Sequence, residues 1–252
     1  MNIPKIIFII PYRDREQHKH FFVNYMKYIM EDYNQSDYET FFINQNDKVI
    51  FNRGALKNIG FLYVKEKYPD DYKNITLVFN DVDTVPYKKN LLNYETTKGT
   101  VKHFYGHKTS LGGIFSINAE DFENINGFPC YWGWGFEDNS IFNRCKKHKL
   151  DIDRNNFYTV QSHDILHFFD TNIKIINILA VDILKYDRGY DGINTIRNLN
   201  YNINNINNNI IDVNHFEPYL ILKKQRFTYY NIYSGSMISS RRLKSSKKII
   251  KY

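Results

Sequence analysis

Apolar and polar positions form two different patterns along the chain, one typical of buried strands and the other of helices. Continuous apolar runs in "KIIFII", "TFFIN" and "NITLVF" predict buried strands. Residues 15–31 and the stretch "NRGALKNIGFLYVKEKYP", which carries Leu56, Ile59 and Val64 at helical spacing, predict helices. Strands that alternate with helices predict an α/β fold with a Rossmann-like, mostly parallel sheet flanked by helices.

The rest of the chain gives weaker patterns. We expect a short strand and a helix over 119–125 in "SLGGIFSINAEDFENINGFP", a basic helix in "NSIFNRCKKHKL", and a strand with a loop in "DIDRNNFYTVQSHDILHFFD". The tract "YNINNINNNIID" is of low complexity and predicts a loop, and "NHFEPYLILKK" predicts a last strand. We therefore predict one domain over 1–225 and a basic extension over 226–252.

Composition narrows the class of protein. Of the 252 residues, 42% are hydrophobic and 24% are charged, which is typical of a soluble globular protein. Much of the net charge of +7 lies in "SSRRLKSSKKIIKY" at the C-terminus, which is either a solvated tail or a contact with a membrane surface or a partner. We expect no nucleic-acid partner. Two cysteines and no long apolar run predict a cytoplasmic protein, in the host cytoplasm or virion if it is viral.

Candidate chemistry lies where the predicted strands end, because ligands of open α/β sheets bind beyond the carboxyl ends of the strands. Pro11 and Arg13 follow the first strand, and "NDVD" follows the third. In an extended chain Asp81 and Asp83 point to the same side of Val82, so together they could bind Mg²⁺ or Mn²⁺. Acid pairs at strand ends also occur as simple caps, and this alternative stays open.

The stretch "QSHDILH" offers further ligands in His163, Asp164 and His167. Imidazole together with carboxylate suits Mn²⁺ more than Mg²⁺. An ordinary surface or packed histidine is the alternative for His167.

The stretch "YWGWGFEDNS" places both tryptophans beside glycines and acids. Flat tryptophan faces on a bendable backbone can stack on sugar rings, while Glu137 and Asp138 bind hydroxyls or accept a proton. A core tryptophan beside a surface turn is the alternative. Arg13, Arg15 and Arg53 are candidates for phosphate or base contacts, with Phe51 to stack on a base.

Taken together, these stretches resemble the β-1,4-galactosyltransferase family. Its order of motifs is P-[FY]-R-x-R-x-x-H, F-N-R-x-x-x-x-N-x-G-F, D-V-D, G-G before N-G-F-P, and W-G-W-G-x-E-D. This chain has "PYRDREQH", "FNRGALKNIGF", "DVDTVP", "LGGIFSINAEDFENINGFP" and "YWGWGFED" in that order, over about residues 5–170. The resemblance implies a GT-A fold with a D-x-D metal motif, Mn²⁺ as cofactor, and inverting transfer from a UDP-sugar to a glycan or glycoconjugate acceptor.

The resemblance also implies roles for individual residues. Pro11, Arg13 and Arg15 line the uridine pocket, and Phe51 and Arg53 flank uracil and the donor. Asp83 is a metal ligand, Asp81 contacts the donor sugar or ribose, and Val82, Ser110 and Gly113 complete the donor site. Trp134 lies over donor and acceptor, Glu137 binds donor hydroxyls, and Asp138 is the general base.

Departures from the family pattern affect the metal and the substrates. Asp164 and His167 stand where the family has M-x-x-H, with His163 in reserve, so Mg²⁺ becomes a candidate beside Mn²⁺. Ser110 replaces the tyrosine of galactose-specific members and leaves room for an N-acetyl group. Phe136 replaces a glycine and Asn139 an acid, and both lie at the expected acceptor site. Galactose and N-acetylgalactosamine are the favoured donor sugars.

Two rival classes remain open at this point. One is a different UDP-sugar-dependent enzyme, with another donor such as UDP-glucose or UDP-N-acetylglucosamine, or a nucleotidyltransferase or UDP-sugar hydrolase. The other is a non-catalytic module that binds carbohydrate or polyanions through the tryptophans and the basic tail.

Overall fold

The computed structural model describes residues 2–168, 173–204, 209–219, 226–231 and 234–238. The helices are α1 (Glu16–Ile29), α2 (Arg53–Lys67), α3 (Ala119–Asn124), α4 (Glu137–Lys147) and α5 (Ala180–Tyr186). The strands are β1 (Ile6–Tyr12), β2 (Tyr38–Gln45), β3 (Thr76–Asn80), β4 (Thr84–Pro86), β5 (Thr100–Gly106), β6 (Ile114–Asn118), β7 (Asp151–Asp153), β8 (Tyr158–Thr159), β9 (Ile165–His167), β10 (Ile173–Asn177), β11 (Arg197–Ile203), β12 (Ile210–Glu217), β13 (Phe227–Asn231) and β14 (Ser236–Ile238).

A central sheet in the order β11-β12-β2-β1-β3-β6-β5-β7 organises the fold, and β8 also pairs with β5. The four middle strands β12, β2, β1 and β3 run parallel, whereas β6 pairs antiparallel with both β3 and β5. The predicted α/β fold with a mostly parallel central sheet is confirmed.

Strand β1 lies in the middle of the sheet, and all seven of its residues are buried. Its side chains alternate between two cores, as the pleat of a strand requires. Ile7 and Ile9 pack into the core under α2, while Ile6, Phe8 and Ile10 pack into the core under α1. Because both faces are covered, the strand has a continuous apolar sequence instead of an alternating one.

Two predictions about secondary structure need correction. The Asn/Ile-rich tract is not simply a loop, because its two ends belong to β11 and β12, which pair with each other; residues 205–208 lie outside the described residues. Ile211 and Val213 are buried at the period of two that places alternate residues of a strand in a core. Strand β5 lies in a stretch, Thr100–Gly106, for which the sequence analysis predicted no element.

A small second sheet of β10, β13 and β14 involves residues beyond 226, and its strand β10 is linked to Trp134 by a bridge at Ile176. The division at residue 225 stays a prediction. The basic stretch over 239–252 lies outside the described residues.

The chain topology gathers the candidate residues at one edge of the sheet. Strand β1 ends at Tyr12, just before Arg13 and Arg15, and β3 ends at Asn80, just before Asp81. Strand β4 then pairs antiparallel with β9, which places Thr84 opposite His167.

Candidate active site

Arg53 is the centre of a cluster of three carboxylates. Its guanidinium donates to Oδ2 of Asp138 at 2.6 Å and lies 3.4 Å from both Oδ2 of Asp81 and Oε1 of Glu137. Lys57 donates to the other carboxylate oxygen of Asp138, Oδ1, at 3.1 Å. Three predicted site residues, which come from two separate parts of the chain, therefore meet around one arginine.

Helix termini help to place these charges. Glu137 and Asp138 form the first turn of α4, where the helix dipole stabilises negative charge. Phe136, just before them, has a φ of +67°, in the left-handed region that non-glycine residues seldom adopt. Opposite them, Arg53 opens α2, whose first turn is capped by the side chain of Asn52, which accepts from the backbone N–H of Ala55.

The glycine turn before β6 fits closely against Asp138. A β-carbon on Gly112 would lie 2.8 Å from Oδ2 of Asp138, and the backbone N–H of Leu111 donates to the Asp138 carbonyl at 2.9 Å. A side chain at position 112 would therefore displace the carboxylate. Gly113 has a φ of +72°, which a glycine adopts without strain.

Burial and charge act differently on the three acids. Burial raises the pKa of Asp81 and of Glu137, and the opposing charges of Arg53 and Lys57 offset only part of this effect. Burial acts in the same direction on Asp138, but Arg53 and Lys57 outweigh it and hold its pKa below the usual range. Asp138 is therefore the carboxylate of this group that is most firmly ionised.

A second group lies around Asp83. Arg15 donates to Oδ2 of Asp83 at 2.8 Å, and Nε2 of His167 lies 3.9 Å from Oδ1 of the same carboxylate. On the other side of the imidazole, the Tyr105 hydroxyl is 3.0 Å from Nδ1 of His167. A carboxylate and an imidazole are brought together here by the pairing of β4 with β9.

The predicted metal ligands are only partly assembled. Within the described residues, no three side chains of His, Cys, Asp or Glu are arranged to hold a metal ion. Asp164 lies just before β9, and its carbonyl accepts from the backbone N–H of Tyr87. Asp83 and His167 have the oxygen and nitrogen donors that Mn²⁺ takes, and the roles of Asp83, His167, Asp164 and His163 as ligands all stay predictions.

The two tryptophans have different environments. Trp132 is 4% exposed and stacks on Phe216 with ring centroids 5.2 Å apart. Trp134 is 43% exposed, and its backbone N–H donates to the Ile175 carbonyl at 2.7 Å. Phe136 is likewise exposed. Thus the core alternative describes Trp132, and Trp134 remains available to a ligand.

The other predicted donor residues surround the same edge. The Arg13 guanidinium lies 5.1 Å from the centre of the Phe51 ring and donates to the Val49 carbonyl at 2.6 Å. Pro11, Val82 and Ser110 are buried, and Asn139 donates to the Thr109 carbonyl at 3.0 Å.

Two residues of the site were missed by the sequence analysis. Lys57 stands at an unspecified position of the F-N-R motif, and Tyr105 lies in the strand that was not predicted. The signal for Lys57 was present, because residues four apart on a helix share a face and Arg53 precedes Lys57 by one turn.

Comparison with known proteins identifies the family to which this chain belongs. The family model described as the N-terminal region of glycosyl transferase group 7 matches residues 2–95, and the model described as the N-terminal domain of galactosyltransferase matches residues 97–170. Together they cover more than half of the chain. The chain belongs to the β-1,4-galactosyltransferase family.

Individual members agree with this assignment. Human β-1,4-galactosyltransferase 1 is 33% identical over 177 residues, which are 66% of this chain and 43% of the human protein. Mouse β-1,4-galactosyltransferase 2 is 31% identical over 204 residues, which are 75% of this chain and 53% of the mouse protein. The chain thus spans about half the length of the curated relatives it matches.

Solved structures agree on the fold. The catalytic domain of Drosophila β-1,4-galactosyltransferase 7 in complex with xylobiose has a TM-score of 0.67 at 24% identity, with 88% of this chain and 97% of that chain covered. A variant of that protein in complex with manganese, UDP-Gal and xylobiose has a TM-score of 0.70 at 23% identity, with the same coverage. The predicted GT-A type of fold is confirmed.

The same comparison corrects the predicted location. The expectation of a cytoplasmic protein is wrong, because the relatives of this family are type II membrane glycosyltransferases of the Golgi. In the part of the chain that the structure describes, no helix has both the length and the apolar character to cross a membrane.

Proposed function

We propose that this protein is an inverting glycosyltransferase that moves galactose or N-acetylgalactosamine from a UDP-sugar to a sugar hydroxyl, with Asp138 as the general base. The observation that carries this proposal is the carboxylate of Asp138, which is held between Arg53 and Lys57 and lies four residues after an exposed Trp134. The names of the relatives, which are β-1,4-galactosyltransferases, support the proposed reaction.

The reaction we infer is a single displacement. The acceptor oxygen forms a bond to the anomeric carbon while the bond from that carbon to the UDP oxygen breaks, and the hydroxyl proton passes to Asp138. Arg53 must loosen its contact with Oδ2 of Asp138 for this transfer, since a carboxylate paired with two cations is a weak base. Glu137 and Asp81, each 3.4 Å from Arg53, can take over part of that pairing.

The chain would hold a divalent metal through Asp83 and His167, with Asp164 as the predicted third ligand. When bound, Mn²⁺ or Mg²⁺ supplies positive charge to offset the charge of the departing diphosphate. Tyr105 keeps the His167 ring oriented so that Nε2 faces Asp83. The neighbouring Drosophila structure in complex with manganese and UDP-Gal supports this choice of cofactor and donor.

Two features bear on the substrates. Ser110 is small and only 6% exposed, so we expect the donor pocket to admit an N-acetyl group that a tyrosine would exclude. Trp134 and Phe136 expose aromatic faces that suit a sugar ring, and the Drosophila relative binds xylobiose as an acceptor-like disaccharide.

A panel of UDP-sugars tests the proposal. The protein is incubated with Mn²⁺ and UDP-galactose, UDP-N-acetylgalactosamine, UDP-glucose or UDP-N-acetylglucosamine, and UDP release is measured with and without mono- and disaccharide acceptors. We expect release that depends on an acceptor and is fastest with one of the two galactose-type donors. Equal release without acceptor would identify a UDP-sugar hydrolase, and sugar binding without any release would identify a non-catalytic module.

A further inference from the structure

Lys57 is buried to an extent that is unusual for a lysine. Its side chain is 1% exposed, and its ammonium lies 4.4 Å from the centre of the Phe128 ring. A lysine is almost never fully buried unless it is paired. Its recorded ion pair is with Oδ1 of Asp138, at 3.1 Å.

Lys57 also completes the charge balance of the site. Arg53 alone would face the three carboxylates of Asp81, Glu137 and Asp138, whose side chains are between 6% and 22% exposed. The positive charge of Lys57 favours the ionised form of each of these acids. Without it, three partly desolvated negative charges would share one cation.

Arg53 and Lys57 hold different oxygens of the same carboxylate. Arg53 binds Oδ2 and also contacts two other acids, whereas Lys57 binds Oδ1 from one helical turn further along α2. If Arg53 moved toward those other acids, the contact of Lys57 with Oδ1 would still hold Asp138 in place. This separation lets one oxygen become free for a proton while the other stays fixed.

We propose that Lys57 is a positioning residue for the general base, which anchors Oδ1 of Asp138 and supplies its permanent counter-charge while Arg53 changes partners. This inference rests on the proposed function, in which Asp138 accepts the acceptor proton. The family motif leaves position 57 unspecified, so the role belongs to this chain's own sequence.

The protonation of Asp138 as a function of pH depends on every charged or titratable group that faces its carboxylate. Those groups come from α2, from the segment after β3, from the start of α4 and the loop before it, and from β5. They are Arg53, Lys57, Asp81, Glu137, Tyr131 and His103.

The test compares Lys57→Met with Lys65→Met. Lys65 lies on the same helix, is 42% exposed and pairs with Glu123 away from the site, so its replacement makes the same change of charge without touching Asp138. For wild type and both variants, kcat and the donor KM are measured from pH 3 to 8.5, so that the range includes the acidic limb of an Asp138 whose pKa is lowered. Mn²⁺ affinity and the thermal unfolding midpoint are measured as well.

For Lys57→Met we expect the acidic limb of kcat to move up by about 1–3 pH units, because an opposite charge this close lowers a carboxylate pKa by that amount. The donor KM and the Mn²⁺ affinity should stay within about threefold of wild type, since Lys57 contacts Asp138 and not the donor or metal residues. Lys57→Arg, which keeps the charge, should restore the position of the limb.

The proposal would be overturned if the acidic limb of the kcat profile lay at the same pH in Lys57→Met and Lys65→Met. It would also be overturned by a change in donor KM with unchanged kcat, or by a failure of both Lys57→Met and Lys57→Gln to fold, which would assign Lys57 to the stability of the core. A wild-type protein that is inactive with every donor overturns the proposed function itself. An active wild type with an inactive Asp138→Asn variant and an unshifted Lys57→Met limb overturns only the role of Lys57.

Discussion

Replacing Asp138 by asparagine changes both the chemistry and the electrostatics of the site. The carboxylate accepts from Arg53 at one oxygen and from Lys57 at the other. An asparagine has one acceptor oxygen and one amide group that only donates. Whichever way the amide is turned, one of the two cations then faces a donor, so this isosteric change removes one of the two hydrogen bonds and takes the negative charge away from both cations.

The size of the stability loss follows from the distances. At 2.6 Å and 3.1 Å the gross attractions are roughly 6 and 5 kcal/mol for an effective dielectric constant near 20, before desolvation is subtracted. Breaking a fully buried ion pair typically costs about 3–5 kcal/mol. Because the Asp138 side chain is 18% exposed, we expect about 2–4 kcal/mol, or a fall of about 5–15 °C in the unfolding midpoint.

The loss of activity should be larger than the loss of stability explains. Removal of a general base typically lowers kcat by about 10²–10⁴. The assay is acceptor-dependent UDP release at 20 °C, after circular dichroism has shown that the variant is folded at that temperature. Asp182→Asn, on the exposed surface of α5, is the matched control and should leave both quantities unchanged.

Two results would refute this reasoning. A folded Asp138→Asn variant that retains more than about a tenth of the wild-type kcat would remove Asp138 as the base. An unfolding midpoint equal to that of wild type would show that Arg53 and Lys57 do not depend on this carboxylate, and the charge analysis of the site would be wrong.

The remaining predictions concern an aromatic pair, a buried acid and a metal ligand. Trp134→Ala should raise the acceptor KM several-fold with little change in stability, whereas Trp132→Ala should lower stability by about 3–5 kcal/mol; equal effects on thermal unfolding would contradict their separate roles. Burial raises the pKa of Asp191 to about 6 from 3.8, so this group's stabilising contribution is present below pH 3.8 and is lost as pH rises through 6. Chemical denaturation at pH 4 and pH 7 should therefore show wild type losing about 2 kcal/mol more than Asp191→Asn, and parallel curves would count against it. Tyr105→Phe should weaken Mn²⁺ binding about tenfold, measured by electron paramagnetic resonance of free Mn²⁺, and unchanged affinity would mean that the hydroxyl does not orient His167.

The central layers of the fold could be predicted because their signals are local. Strand β1 is apolar throughout, and α2 has a clear helical period, so each pattern identifies its own element. Strands β11 and β12 could not be recognised in the same way, because asparagine has a low propensity for strands. In addition, β12 pairs with β2, which lies far away in the sequence, and no local pattern predicts that pairing.

The residues of the candidate site could be predicted from sequence motifs, but the contacts between their side chains could not. Asp81, Glu137 and Asp138 were all expected near the donor, yet nothing in their spacing indicated that Arg53 would contact all three. That arrangement depends on tertiary packing of the first turn of α2 against the first turn of α4. The different environments of the two tryptophans also depend on tertiary structure, because the Trp132 ring stacks on Phe216 in the core and the Trp134 side chain is exposed.

Lys57 shows why a motif can hide an important charge. A motif records positions that are the same in many proteins, and a lysine at an unspecified position of a helix is normally interpreted as surface. Here the surrounding residues 54–61 are all buried, so a lysine among them requires a partner inside the protein. The partner is Asp138, which lies three motifs further along the sequence. A buried lysine next to a catalytic motif is therefore a signal that sequence analysis can use, provided that the helix around it is recognised as buried on all sides.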